Sequence, residues 1–258
     1  MSLSATVRQI ALMSLPLLFT CLAAAGTVNY TGPGGNLNVA TFDSSNNPVE
    51  GTTTYIIPVT DLYVIDVGDA VTVSLTGLLY PYAGDLQATL SLEDTLGNVI
   101  LSGDIFNQIG AYNPGDPGYA TQFGRPDSSV DSGNYTFNSS FQTSCPTGPG
   151  ACDLWNTASM LGSTDSIPDG DYFTTTALSP ANDNLSSMFA GLPVTGKWVL
   201  TINDYYPPDP STPYVPGLTS WGVSINVVNP VVPEPSTMIP IALCAGFLAL
   251  GIRRHSQM

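Results

Sequence analysis

Positive charge is what this chain has least of. Five Lys and Arg stand against 20 Asp and Glu in 258 residues. Three of those five, Arg8, Arg253 and Arg254, sit near the ends. The body, residues 26–232, keeps only Arg125 and Lys197 against 19 carboxylates, a net charge of −17. Such a surface repels nucleic acid and anionic lipid. Histidine is nearly missing too. The single one, His255, lies in the last four residues, so the body has no Ser-His-Asp or Cys-His mechanism. A Ser-Lys dyad would have to use Lys197, which the local alternation turns outward beside Trp198. No Gly-rich phosphate loop opens a helix, no zinc-ligand spacing occurs, and no long amphipathic helical pattern is present.

Cysteine is sparse as well. Cys21 and Cys244 fall in apolar end segments, which leaves Cys145 and Cys152 in the body. Pro146-Thr147-Gly148-Pro149-Gly150-Ala151 between them is a turn-forming spacer. In an oxidising compartment the two are expected to form a local disulfide, with a metal pair as the alternative.

The ends carry targeting signals. Arg8 precedes an apolar stretch, Ile10 to Ala23, followed by Ala24 and Ala25. This reads as a signal peptide over 1–25, cut by signal peptidase near Gly26; an N-terminal transmembrane anchor is the alternative. At the other end, Pro233-Glu234-Pro235 precedes an apolar run, Met238 to Ile252, and then Arg253-Arg254. The run would span roughly 22 Å as a helix against a core of about 30 Å. It is a short handle rather than a lasting anchor, and the arginines should stay cytoplasmic. This tripartite tail resembles the PEP-CTERM sorting signal. The resemblance implies processing by an exosortase in a Gram-negative bacterium. It further implies transient residence in the inner membrane facing the periplasm, then release to the cell surface or the extracellular matrix. Residues 228–237 would be linker and motif, 238–252 the transmembrane helix and 253–258 a cytoplasmic basic tail.

The body alternates with period two. Val71, Val73 and Leu75 face one way, as do Leu86, Ala88, Leu90 and Leu92. So do Trp198, Leu200 and Ile202, and then Trp221, Val223, Ile225 and Val227. These are half-buried strands of sheets with one wet face, and the fold class is an all-β sandwich. Residues 107–185 lose that alternation and fill with Asn, Gly, Pro, Ser and Asp. They also hold Tyr112, Tyr119, Tyr135, Phe137, Phe141 and Trp155, too many aromatics for a disordered linker. Long inserted loops, with room for a hairpin, are expected there. Such loops on a rigid scaffold are where binding tends to sit.

The order Gly84-Asp85-Leu86, then Gly196-Lys197-Trp198-Val199-Leu200-Thr201-Ile202-Asn203-Asp204, then Gly217-Leu218-Thr219-Ser220-Trp221 resembles the P domain (Homo B) of proprotein convertases. The resemblance covers roughly 55–227 and implies a jelly-roll, galactose-binding-like sandwich without its protease. It leaves 26–54 as an N-terminal extension. Tyr82 stands where many relatives carry a His, and the 107–185 insertion is longer than the family's middle region.

Seventeen of the 20 acids are Asp, which suits turns and calcium more than helices. Asp61, Asp85 and Asp204 at strand edges are candidate calcium ligands, and Asp165, Asp169 and Asp171 cluster in a Pro-Gly loop. The competing role for each Asp is a turn residue bonding its own backbone; no EF-hand-type loop is present. Trp155, Tyr205 and Tyr206, with Tyr214, lie in irregular segments where a ring could stay exposed to stack on a sugar. The leading expectation is a non-enzymatic surface or matrix protein linked to exopolysaccharide or biofilm. The alternative is a carbohydrate-binding module using loop aromatics and Asp. A hydrolase with paired Asp residues is a remote third, since nothing in the spacing singles out a pair.

Overall fold

The computed structural model describes residues 25–68, 70–111, 118, 121–124, 133–148, 150–162, 165–176, 178–207 and 215–228. Residues 1–24 of the expected signal peptide (1–25), Pro233, Glu234, Pro235, the apolar run 238–252, Arg253 and Arg254 lie outside the described residues, as do Tyr112, Tyr119 and Tyr214. Among the described residues no helix is long and apolar enough to cross a membrane.

The elements in chain order are β1 (Ala25–Asn36), β2 (Thr41–Phe42), β3 (Pro48–Val49), β4 (Gly51–Val59), β5 (Val64–Ile65), β6 (Val71–Leu78), β7 (Leu86–Glu93), β8 (Val99–Asn107), β9 (Gln122–Phe123), β10 (Gly133–Asn138), α1 (Leu154–Ser159), β11 (Ser166–Ile167), β12 (Gly170–Tyr172), α2 (Leu185–Phe189), β13 (Gly196–Asp204) and β14 (Gly217–Val228). They form an all-β sandwich. One sheet has the order β1-β14-β6-β10-β12, with β5 also on β14; a second is β4-β13-β7-β8, and β9-β11 and β2-β3 form two small two-stranded sheets. One continuous core cluster draws on both.

The period-two pattern explains the sandwich. Every inward-phase apolar residue named above on β6, β7, β13 and β14 is 3% exposed or less. Each such side chain contributes roughly 1.5–3 kcal/mol on burial. Their alternates, such as Thr72, Ser74, Gln87 and Thr89, face water and are only partly covered. Pro58 in β4 fits this arrangement. A proline cannot donate to two neighbours, and β4 is an edge strand paired only to β13.

Two boundaries move. Residues 26–54 are not an extension of the sandwich. β1 pairs with β14 from Ala25↔Val228 to Asn36↔Gly217, and β4 begins at Gly51. Val28 and Tyr30 pack against the core from β1. The 107–185 region is likewise not only loops. Its β10 pairs antiparallel with β6, and β12 joins β10 in parallel, so it completes the larger sheet. Aromatic packing holds it there. Phe106 lies against Phe123 and Phe137 with centroids 5.1 and 5.5 Å apart. Tyr135 meets Phe123 edge-on, and its hydroxyl donates to the Ile167 carbonyl at 2.9 Å. Cys145 and Cys152 are disulfide-bonded, with Cα atoms 5.7 Å apart. Closing so short a loop stabilises the fold by about 2–3 kcal/mol in the chain-entropy picture.

Candidate functional site

The densest polar chemistry lies where β13 ends. Alternation there sends Asp204 inward and Asn203 outward, so one strand end serves both faces of its sheet.

On the inner side, the chain leaves β6 through Tyr80 and makes a single 3₁₀ turn, Ala83–Asp85, before entering β7. The Asp85 amide donates to the Tyr82 carbonyl at 3.0 Å, and the Tyr205 amide donates to the Asp85 carbonyl at 3.0 Å. Asp204 stands in register with Leu86 and Gly51, next to Asp85. The segment around Ala40 folds over Gly51. A Cβ on Gly51 would fall 2.1 Å from the Asn38 carbonyl oxygen, so only glycine allows that approach. The fold-over brings the Ala40 amide to Asp204 Oδ2 at 2.7 Å. The Tyr206 amide donates to Asp204 Oδ1 at 3.2 Å, and nearby Tyr80 favours the charged form of this carboxylate.

Both carboxyls are buried: Asp204 is 1% exposed and Asp85 7%. Burial raises both above the ordinary aspartate range. For Asp204 the Tyr80, Ala40 and Tyr206 donors oppose that rise. Asp85 has no such donors among the described residues. Burial and then the Asp204 charge push it up to about 7.

On the outer side, Gln87 is the hub. Its Oε1 accepts from the Tyr205 hydroxyl at 2.5 Å and from Asn203 Nδ2 at 3.4 Å. Its Nε2 donates to Asp104 Oδ1 at 2.9 Å, and Asn107 Nδ2 donates to Asp104 Oδ2 at 3.1 Å. The Asp104 amide donates to Asp183 at 2.6 Å. Tyr205 is thus a half-buried ring fixed by its hydroxyl beside a row of amides and carboxylates.

The candidate ligands separate. Asp85 and Asp204 come together, but Asp61 does not join them. It is exposed, and its carboxylate accepts from the Tyr30 hydroxyl at 2.7 Å. Among the described residues no three acids, cysteines or histidines form a metal-type group. Asp165, Asp169 and Asp171 do not form one either. Asp165 accepts from the Gly162 amide, and Asp169 accepts from the Asn134 amide and side chain.

Two other acids are turn residues. Asp43 and Asp94 build the same five-residue turn. Each takes two backbone amides on Oδ1, from Ser45 and Asn47 or from Leu96 and Asn98, and the Asn side chain on Oδ2. Asn46 and Gly97 supply the positive φ that closes each turn.

Trp155 is not an exposed platform. Asp153 caps α1 by accepting from the Asn156 amide at 2.9 Å, and the helix turns Leu154, Trp155 and Ala158 into the core, leaving Trp155 3% exposed. Tyr205 and Tyr206 remain half-buried at the β13 end. Sequence inspection passed over Gln87 and Asp104. Their only signal was their place on the outward phase of β7 and β8. No family model, curated protein or solved structure matches the chain.

Proposed function

We propose that the chain is an exported, non-enzymatic surface or extracellular-matrix protein, sorted through its PEP-CTERM-like tail and associated with exopolysaccharide. The observation that carries this reading is the tail itself: Pro233-Glu234-Pro235, fifteen residues of apolar run, then Arg253-Arg254. The body is suited to that fate. It has a disulfide that an oxidising compartment would preserve and a strongly anionic surface that favours solubility. Its architecture is a jelly-roll of the P-domain kind, a reading supported by the crossovers that put β14 between β1 and β6 and β13 between β4 and β7.

Replacing Pro233, Glu234 and Pro235 together with alanine is expected to abolish processing. The full-length protein should then accumulate in the inner membrane, as measured by fractionation and intact mass. Unchanged processing would refute the sorting role.

A carbohydrate-binding module is the second reading. The observation that favours it is Tyr205 held against Gln87 beside Asn203 and Asp104, a ring flanked by sugar-type hydrogen-bonding groups. On a glycan array, Tyr205→Ala should lose signal while Trp155→Phe, a core change, keeps it. A wild-type protein that binds no glycan favours the purely structural role.

A further inference from the structure

We propose that the end of the sandwich from which the chain leaves β14 docks on a lipid surface through three apolar loop tips, Leu62, Val67 and Leu96, while the C-terminal run holds the protein at the membrane. The docking rests on the tail acting as a membrane handle, as its sorting role requires.

β4 and β7 finish at this end, where β13 starts: Val59 pairs with Gly196 and Glu93 with Lys197. β14 finishes there too. Its last residue, Val228, pairs with Val64, and Val64 bridges to Pro193 just before β13. Among the described residues the three most exposed large apolar side chains are Leu96 at 85%, Val67 at 82% and Leu62 at 76%. All three belong to loops at this end. Leu62 lies between β4 and β5, Val67 just after β5, and Leu96 in the β7–β8 turn. Single exposed apolar residues are ordinary, but their concentration at one end on three separate loops marks a contact surface.

Each tip is held by its neighbours. The Thr195 hydroxyl donates to the Asp61 carbonyl, and the Val194 amide donates to the Tyr63 carbonyl at 3.1 Å, so Leu62 is fixed on both sides. The Asp66 amide, next to Val67, donates to the Asn226 carbonyl at 2.9 Å. The Leu96 amide donates to Asp94 Oδ1 at 2.8 Å. That turn does not itself demand leucine. Asp43 builds the same turn in the β2–β3 hairpin, which leads into Gly51 at the opposite end of β4, and there Ser45 takes the place of Leu96. Serine serves the geometry equally, so leucine at the tip points to an apolar environment outside the protein.

Chain length selects lipid as the occupant. Nine residues, 229–237, separate Val228 from the apolar run at Met238, at most about 35 Å of chain. So short a tether keeps the effective concentration of the tips at a bilayer high, and weak individual contacts suffice. Charge agrees with this. Lys197, the one base among the described residues, lies at the same end, its Nζ 3.6 Å from where a Cβ on Gly97 would fall. Its ammonium suits a lipid phosphate. Asp61 and Asp94 at this end spend their carboxylates on the Tyr30 hydroxyl and on turn amides.

The test uses the full chain reconstituted in phosphatidylcholine vesicles, with tryptophan as the depth reporter. The three native tryptophans are 3% exposed or less, so they stay silent. Leu96→Trp should emit further to the blue and be quenched by lipid brominated in its acyl chains. Phe42→Trp, on the β2–β3 hairpin, should not be. Adding Leu62→Ser and Val67→Ser to Leu96→Trp should remove most of the quenching while leaving the fold intact, since both sites are exposed. Flotation of the same samples separates the two levels. A chain that does not float with the vesicles refutes the tail as a handle, and the docking with it. A chain that floats while Leu96→Trp stays open to aqueous iodide and unquenched by brominated lipid overturns the docking alone. Shielding from iodide without quenching by lipid overturns it too, because a second copy of the chain then covers the tip.

Discussion

Trp198→Ala is expected to cost about 3–5 kcal/mol of stability and to lower the Tm by roughly 10 °C. Trp198 is fully buried at the second inward position of β13. Its cross-strand partners are Ile57 on one side and Leu92 on the other, both buried. The Phe189 ring from α2 packs on it at 5.2 Å, and its Nε1 donates to the Val194 carbonyl at 3.2 Å. β13 is hydrogen-bonded along both edges, so the backbone cannot close into the space that the indole leaves. The cost therefore includes the cavity as well as the lost burial. Trp198→Phe keeps most of the volume and removes only the indole bond, so about 1–2 kcal/mol is expected there. Urea unfolding of the two variants checks the ordering. A loss below about 1 kcal/mol for the alanine change would place the ring outside the core.

That core was legible in the chain because its strands pack one face inward, and period two survives in the letters. Val71-Thr72-Val73-Ser74-Leu75 and Trp198-Val199-Leu200-Thr201-Ile202 state their own burial. β1 was not legible. Thr31-Gly32-Pro33-Gly34-Gly35 reads as a loop, yet it is an edge strand whose glycines let it approach Ile57 and Leu218. β10 and β12 were hidden for a related reason: they are short and set among Asn, Asp and Gly. Their evident signal was the density of aromatics, which marks packing without naming a partner.

The site divided along the same line. Asp85 and Asp204 stand out in the sequence as strand-edge acids, but bringing their segments together depends on 118 intervening residues folding back. Asp61 has the same local appearance and a different fate. Trp155 was misread because local composition describes a segment's irregularity and not its depth.

Asp85→Asn should make the protein more stable at neutral and alkaline pH. In the unfolded chain Asp85 ionises near 3.8; in the fold, burial and the adjacent Asp204 move it to about 7. Between those values the native state keeps a proton that the unfolded chain has released. The native state then binds more protons than the unfolded state, so stability falls as pH rises from about 4 to about 7 and levels off above. The stability given up is roughly 2–4 kcal/mol, with the lower part favoured by residual solvent access. Asparagine carries no charge to desolvate. The variant should therefore lose most of the slope between pH 4 and 7 and overtake the wild type by pH 8. Burial also raises Asp204 and Asp183, so a shallower slope of the same sign should persist. Asp43 and Asp94 act in the opposite direction. Turn amides hold both below the ordinary value, so their contribution is lost only on acidification below about 4. The two windows do not overlap, and denaturant melts at pH 3, 5, 7 and 8.5 separate them. Equal slopes for wild type and Asp85→Asn between pH 5 and 7 would mean that Asp85 ionises normally despite its burial.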